Sequence, residues 1–166
     1  MNSDYSSNPV AGADPFDACD RDILDCLQRD SSLSNQALAK RVGLSASPCW
    51  RRVQRLQRSG VIDKQVALLD PPRLGLQVWA FAFVSLENHH PDSVRRFDEI
   101  VESRPEVLEC FSMSGRNDYL LKVVCRSIAH YEHFLMHYLS NCPVVRSVNS
   151  SFVLRRKKYT TALPLD

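Results

Sequence analysis

Residues 34–60 read S-N-Q-A-L-A-K-R-V-G-L-S-A-S-P-C-W-R-R-V-Q-R-L-Q-R-S-G. Leu38 and Val42 mark the inner face of a short helix over Asn35 to Val42, and Ala37 leaves room for a close helix neighbour. Gly43 supplies the left-handed residue that follows a helix end, and Gly43-Leu44-Ser45 makes a tight turn. A second helix begins between Ser45 and Pro48. Pro48 is harmless in a first turn, where its missing N–H has no intrahelical partner. It also pushes Ser47 toward extended backbone, which makes Ser47 the expected cap. Cys49, Val53 and Leu56 recur at helical steps and form the inner face. Arg51, Gln54, Arg55 and Arg58 fall on the opposite, free face, Trp50 and Arg52 lie on the flanks, and Gly60 ends the helix. The pattern is that of a helix-turn-helix whose second helix enters a DNA major groove.

Upstream, Ile23, Leu24, Cys26 and Leu27 predict a helix over Asp20 to Arg29 with Asp20 as its cap, and Ser34 caps the helix that follows. Downstream, Val61 to Leu69 is strand-like, as in a wing and outgoing linker, and Pro71-Pro72 marks a boundary. The expected organisation is a flexible tail over 1–15, a winged helix-turn-helix over 16–62, a wing and linker over 63–76, and a second domain over 77–166.

That second domain alternates. Strands are expected over Gln77 to Leu86, Val107 to Met113, Asp118 to Cys125 and Val144 to Leu154. Helices are expected over Asp92 to Ser103 and Ser127 to Asn141. The order β-α-β-β-α-β describes a ferredoxin-like antiparallel sheet with its helices on one face, so the whole chain is α+β. The first strand is apolar on both sides: Trp79, Phe81 and Phe83 on one, Val78, Ala80, Ala82, Val84 and Leu86 on the other. The helices cover one side only, so the other predicts a homodimer.

The totals exclude several classes. Charged residues are 24% and hydrophobic residues 44%, which suits a folded chain rather than a disordered one. Net charge is only +2, so the arginine clustering, not the total, points to nucleic acid. No Cys-x-x-Cys and no zinc-type Cys/His spacing occurs; Cys26, Cys49, Cys110 and Cys125 read as small buried hydrophobes in a reducing compartment. The first residues lack a basic or apolar signal region, and Val78 to Val84 is too short to span a bilayer, so a cytoplasmic protein without membrane contact is expected. His130, His133 and His137 share a helix face but have no carboxylate or thiol to complete a ligand set, so no metal and no cofactor is expected. No nucleophile–base pair and no phosphate-binding glycine loop is present, which argues against an enzyme.

Four stretches together carry a resemblance: D-R-D-I-L-D-C-L-Q-R-D at 20–30, A-K-R-V-G-L-S-A-S-P-C-W-R-R-V-Q-R-L at 39–56, A-L-L-D-P at 67–71 and S-G-R-N-D-Y-L-L-K at 114–122. In this order the chain resembles the Lrp/AsnC, or feast/famine, transcription regulators from about Asp20 to Pro164. The resemblance implies a winged helix-turn-helix followed by a sensor domain that dimerises through its sheet, with assembly to tetramers or octamers. It also implies a small amino-acid effector held between sensor domains near the turn Gly115, Arg116, Asn117 and Asp118. Many members have an acidic residue where this chain has Arg116. The ending S-S-F-V-L-R-R-K-K-Y-T-T-A-L-P-L at 150–165 resembles a subgroup tied to the catabolism of branched-chain and sulfur amino acids.

The expected DNA contacts are Ser45, Ser47, Trp50, Arg51, Arg52, Gln54, Arg55 and Arg58 on operator duplex DNA. Trp50 is either a groove contact or a half-buried packing residue. The residues Ser114 to Asp118 are, by themselves, a hairpin in which Gly115 supplies a positive φ. Under the resemblance their N–H groups hold a carboxylate and Asp118 meets an ammonium group, with Met113, Phe152 and Val153 as lining. Arg155 to Lys158 is a basic run that reads as a solvated strand end, or as an addition to DNA wrapping in a larger assembly. The competing function is a stand-alone amino-acid-binding or metabolic enzyme domain of the same sheet architecture, for which the arginine helix has no use.

Overall fold

The computed structural model describes residues 16–165, so the predicted tail over 1–15 lies outside the described residues. These residues fall into two compact units: the chain up to Ala67 together with the segment from Lys158 onward, and Leu68–Lys157. By its contacts the last segment belongs with the helices.

The first unit is three helices: α1 (Ala18–Arg29), α2 (Asn35–Arg41) and α3 (Ala46–Arg58). Ile23, Leu38, Ala39, Cys49 and Leu56 are buried together, with Leu24, Leu27, Val42 and Val53 packed around them. The inner faces predicted from helical spacing are therefore the core. Ser34 caps α2 by accepting from the Ala37 N–H, and Gly43 takes φ +68° after its last turn.

Two caps differ from expectation. The cap of α3 is Ser45, whose hydroxyl makes no capping bond, and Ser47 lies inside the first turn beside Pro48. The cap of α1 is Asp17, and Asp20 is its third residue. The two aspartates form a reciprocal box, with the Asp20 N–H donating to Asp17 Oδ1 at 2.9 Å and the Asp17 N–H to Asp20 Oδ2 at 3.3 Å. The strand-like stretch Val61 to Leu69 is not a strand, and Val66, Leu68 and Leu69 are exposed. A strand needs a neighbour to accept its backbone hydrogen bonds, and none pairs with it among the described residues.

Asp20 also changes the reading of α3. Its side chain is 1% exposed, and a carboxylate buried so deeply requires charged partners. Arg52 Nη1 donates to its Oδ1 at 2.8 Å and to Asp17 Oδ2 at 2.7 Å, and Arg55 Nη2 donates to its Oδ2. The Arg52 hydrogen bond, foremost, draws the Asp17 carboxyl below its usual range. The helix without acidic residues is thus neutralised in part from α1, 32 residues earlier in the chain.

The second unit has strands β1 (Val78–Leu86), β2 (Val107–Ser112), β3 (Tyr119–Cys125) and β4 (Val145–Phe152). They form one antiparallel sheet in the order β2-β3-β1-β4. Helix α4 (Pro91–Glu102) and helix α5 (Ile128–Phe134), which continues as a π-helix over Leu135–Ser140, make the two crossovers. Ala80, Ala82, Val84 and Leu86 of β1 are buried with Leu121, Val123 and Cys125 of β3 under Phe97, Tyr131, Phe134 and Leu139. The opposite face of β1 carries Trp79, Phe81 and Phe83, all half-buried, beside Leu120 and Lys122 of β3. Cys49, Cys125 and Cys142 are buried, Cys26 is half-buried, and Cys110, on the edge strand β2, is exposed.

We expect Asp20→Ala to lower unfolding stability by about 2 kcal/mol, since it removes the charged acceptor of two guanidinium groups. Urea denaturation followed by circular dichroism measures this; a change under ~0.5 kcal/mol would show that the buried carboxylate does not hold α1 on α3.

Candidate nucleic-acid interface and effector turn

The outer surface of α3 is polar and open. Ser45, Ser47, Trp50, Arg51, Arg55 and Arg58 are exposed, and Arg52 and Gln54 are half-buried. Trp50 is 53% exposed on this surface. Trp50, Arg51, Gln54, Arg55, Arg58 and Ser59 line one shallow depression along the helix. Gln54 is held by Gln57, whose Oε1 accepts from Gln54 Nε2 at 3.0 Å. Asn35 Nδ2 donates to the Ala46 carbonyl at 2.8 Å and fixes the entry of α3 against α2. Of the four arginines, Arg51 and Arg58 carry no ion pair among the described residues, Arg55 is shared between Asp20 and solvent, and Arg52 is committed to carboxylates. Those pairs hold the Arg52 guanidinium firmly in its charged form. The surface can therefore offer cations and one indole to a polyanion, with Arg52 acting as the tie that sets the helix.

The Ser114 to Asp118 turn joins β2 to β3 at the end of the sheet. The Met113 N–H donates to the Asp118 carbonyl at 2.8 Å, and the Asp118 N–H to the Val84 carbonyl at 2.9 Å. Gly115 sits at φ +130°, a conformation that disfavours any side chain, and the space a Cβ would enter is open. Among the described residues, the N–H groups of Ser114, Gly115, Arg116 and Asn117 have no protein acceptor. Met113 to Arg116 are exposed, and Asn117 and Asp118 are half-buried.

Asp118 is not idle. Its Oδ2 accepts from the Leu86 N–H at 2.7 Å, and its Oδ1 lies 2.9 Å from His89 Nε2. The Leu86 hydrogen bond, then His89, lowers its pKa against the opposing effect of burial. A carboxylate with a depressed pKa stabilises the fold above the usual carboxylate range and loses that contribution as pH falls through the lowered value. Arg116 makes no ion pair with it. Leu86 and His89 were not legible as members of this site, because β1 meets the turn only through the sheet.

Phe152 and Val153 are not beside this turn. Phe152 pairs with Ala80 and packs edge-on to Tyr131 at 5.1 Å, and the Val153 N–H donates to the Trp79 carbonyl. The turn adjoins Val84, four residues further along β1, or roughly 13 Å away at strand spacing. Within one chain the register of β4 thus sets both residues apart from the turn.

The three histidines also find other partners. His133 and His137 stack with ring centroids 4.1 Å apart, and His130 Nε2 lies 3.3 Å from Glu106 Oε1. Among the described residues no group of three or more His, Cys, Asp or Glu could hold a metal ion. Nor is any described helix long and apolar enough to cross a membrane.

Comparison with known proteins gives two family matches, one to each part of the chain. Residues 16–63 match the family described as winged helix-turn-helix DNA-binding, and residues 79–163 match the Lrp/AsnC ligand binding domain. The DNA-binding transcriptional activator DecR of Escherichia coli K12 is 39% identical over 151 residues, covering 91% of this chain and 99% of DecR. A transcriptional regulator of Neisseria meningitidis, solved as a complex with L-Met, aligns with a TM-score of 0.89 at 38% identity over 91% of this chain and 97% of that one. An AsnC family regulator from Agrobacterium tumefaciens aligns with a TM-score of 0.86 at 45% identity over 90% and 97%. With a helix-turn-helix, a βαββαβ sheet unit and relatives matched over nearly their full length, the chain belongs to the Lrp/AsnC family of DNA-binding transcription regulators.

Proposed function

We propose that this chain regulates genes of amino-acid metabolism by binding operator duplex DNA through α3, in response to a small amino acid held at the Gly115 turn. The observation that carries the DNA reading is the open face of α3, with Trp50, Arg51, Arg55 and Arg58 exposed along one side. Arginines without carboxylate partners contribute affinity by displacing counterions from phosphates, and groups near the helix N-terminus, Ser45, Ser47, Trp50 and Arg51, face base edges. Gln54 adds a hydrogen-bonding group in mid-helix, and Arg52 keeps α3 on α1. As a family member without a membrane-spanning helix among its described residues, it acts in the cytoplasm where its DNA is.

The effector reading rests on the free N–H groups of the turn and on the relative solved with L-Met. Ser114 to Asn117 offer donors to one carboxylate. Asp118 Oδ1, now on exposed His89, is the acceptor an ammonium group takes over. Met113, exposed beside the turn, favours a small apolar or sulfur-containing side chain. The open face of the sheet, Trp79, Phe81, Phe83 and Leu120, is covered by a second copy in a homodimer from which larger rings build.

Each part has its own outcome. Replacing Arg51 and Arg58 together by alanine is expected to lower the slope of log K against log salt by about two units, and Arg52→Ala to leave that slope nearly unchanged while reducing stability. Fluorescence anisotropy on the chain's own upstream DNA across a salt series measures both; equal slopes for wild type and the double variant exclude α3 from the groove. In a thermal-shift screen of the twenty amino acids, the effector is expected to stabilise the fold by roughly 2.7 kcal/mol at a hundredfold excess over its Kd. The same shift in Asp118→Ala would remove Asp118 from the site. Light scattering at micromolar concentration is expected to give a dimer or larger particle for wild type and a smaller one for Phe81→Glu; a wild-type monomer refutes the sheet-face assembly.

A further inference from the structure

The segment after the basic run, Tyr159 to Leu165, has no helix or strand of its own, yet it is anchored to the outside of α1 at defined points. The Leu163 N–H donates to Gln28 Oε1 at 2.8 Å, and Gln28 Nε2 donates back to the Leu163 carbonyl at 2.9 Å. The primary amide of Gln28 thus plays the part of a neighbouring strand's peptide group, giving and taking one hydrogen bond at a single residue. Two residues on, the Leu165 carbonyl accepts from Arg21 Nη1 at 2.7 Å. In an extended chain, residues two apart present their N–H and C=O groups on the same edge, so Leu163 and Leu165 face one row of partners. Gln28 and Arg21 supply that row, because positions seven apart lie two turns apart on one side of a helix. The segment runs antiparallel to α1.

The segment is built for this. Pro164 has no N–H to leave unsatisfied between the two anchors, and it biases Leu163 toward extended backbone. Thr160 Oγ1 accepts from the Ala162 N–H at 3.0 Å and fixes the approach. On the helix side, Gln28 Nε2 also donates to Asp25 Oδ1 at 3.2 Å, which holds its amide in the orientation that Leu163 meets. Asp25 is in turn held by Arg29 at 2.9 Å.

We propose that the Arg21–Gln28 side of α1 is a docking track for an extended main-chain segment, and that its occupant is this chain's own segment 158–165. The track reads backbone geometry rather than side chains, since every hydrogen bond it makes to Leu163 and Leu165 goes to main-chain atoms. The chain thereby crosses between its two units twice, once near Ala67 and once near Lys157. The second crossing ends on the helix that carries Asp20, one residue from Arg21, and so on the element that sets α3.

The test uses the full chain with 15N-leucine labelling and a version ending at Lys158. In the full chain the Leu163 and Leu165 amides are expected to show heteronuclear NOE values of folded backbone, and to fall to those of a free tail in Gln28→Ala. A peptide of residues 158–165 titrated into the shortened chain is expected to shift the amide resonances of Arg21 to Arg29, with Kd on the order of millimolar for so few bonds. The same peptide with N-methyl-leucine at position 163 should fail to do so, and neither should act on the full chain, whose track is filled at high effective concentration. Free-tail NOE values in the wild type, or peptide shifts that survive N-methylation or Gln28→Ala, would overturn the proposal.

Discussion

Burying a carboxylate costs several kcal/mol unless charge meets it, and α1 buries that of Asp20 only because α3 brings two guanidinium groups to it. Much of the helical unit depends on this exchange. Asp20 ends its own helix's open N–H groups through the box with Asp17, and the same side chain anchors a helix that starts 26 residues later. The hydrophobic contribution from Ile23, Leu38, Cys49 and Leu56 brings the helices together without direction, whereas the ion pairs fix the rotation of α3 about its axis. That rotation decides which of its residues face outward: Arg52 is turned to the carboxylates of α1, Arg55 reaches Asp20 while staying exposed, and Arg51 and Arg58 are open.

The sheet unit meets a comparable constraint at β1, its most connected strand, flanked by β3 and β4. One face is filled by small residues, Ala80 and Ala82, against large ones from the helices, Phe97 and Phe134. The other keeps aromatic side chains at the surface, with Lys122 and Arg156 over the Trp79 ring at 5.7 and 5.8 Å. The end of β1 also positions the Gly115 turn, through the Val84 carbonyl and the Leu86 N–H. Covering the face and shaping the turn are thus tasks of one strand.

Much of this was legible in the sequence because it obeys local periodicity. The helical steps of Ile23, Leu38, Cys49 and Leu56 and the alternation along β1 give the cores directly. What the sequence hid are pairings between distant segments. Nothing near Arg52 announces Asp20, and nothing near Asp118 announces Leu86 or His89. Val61 to Leu69 has the composition of a strand, but composition does not supply a partner. Phe152 follows the effector turn by more than thirty residues, and only the register with Ala80 shows it at the other end of β1 from that turn. Nothing in the sequence of α1 marks Gln28, because its partner offers main-chain groups that every residue carries.

The helical unit is discontinuous: its helices precede the sheet unit and its last segment follows it. A unit encoded in two pieces cannot be inherited or exchanged by a single break in the gene. Recombination near Ala67 moves the three helices and leaves their last segment attached to another lineage's sheet. A fusion of this kind keeps the Arg21–Gln28 row supplied only where the incoming segment can also extend past a proline-like restriction and match its spacing. The two halves of such a chain are therefore expected to diverge in step, even where no side chain of one touches a side chain of the other.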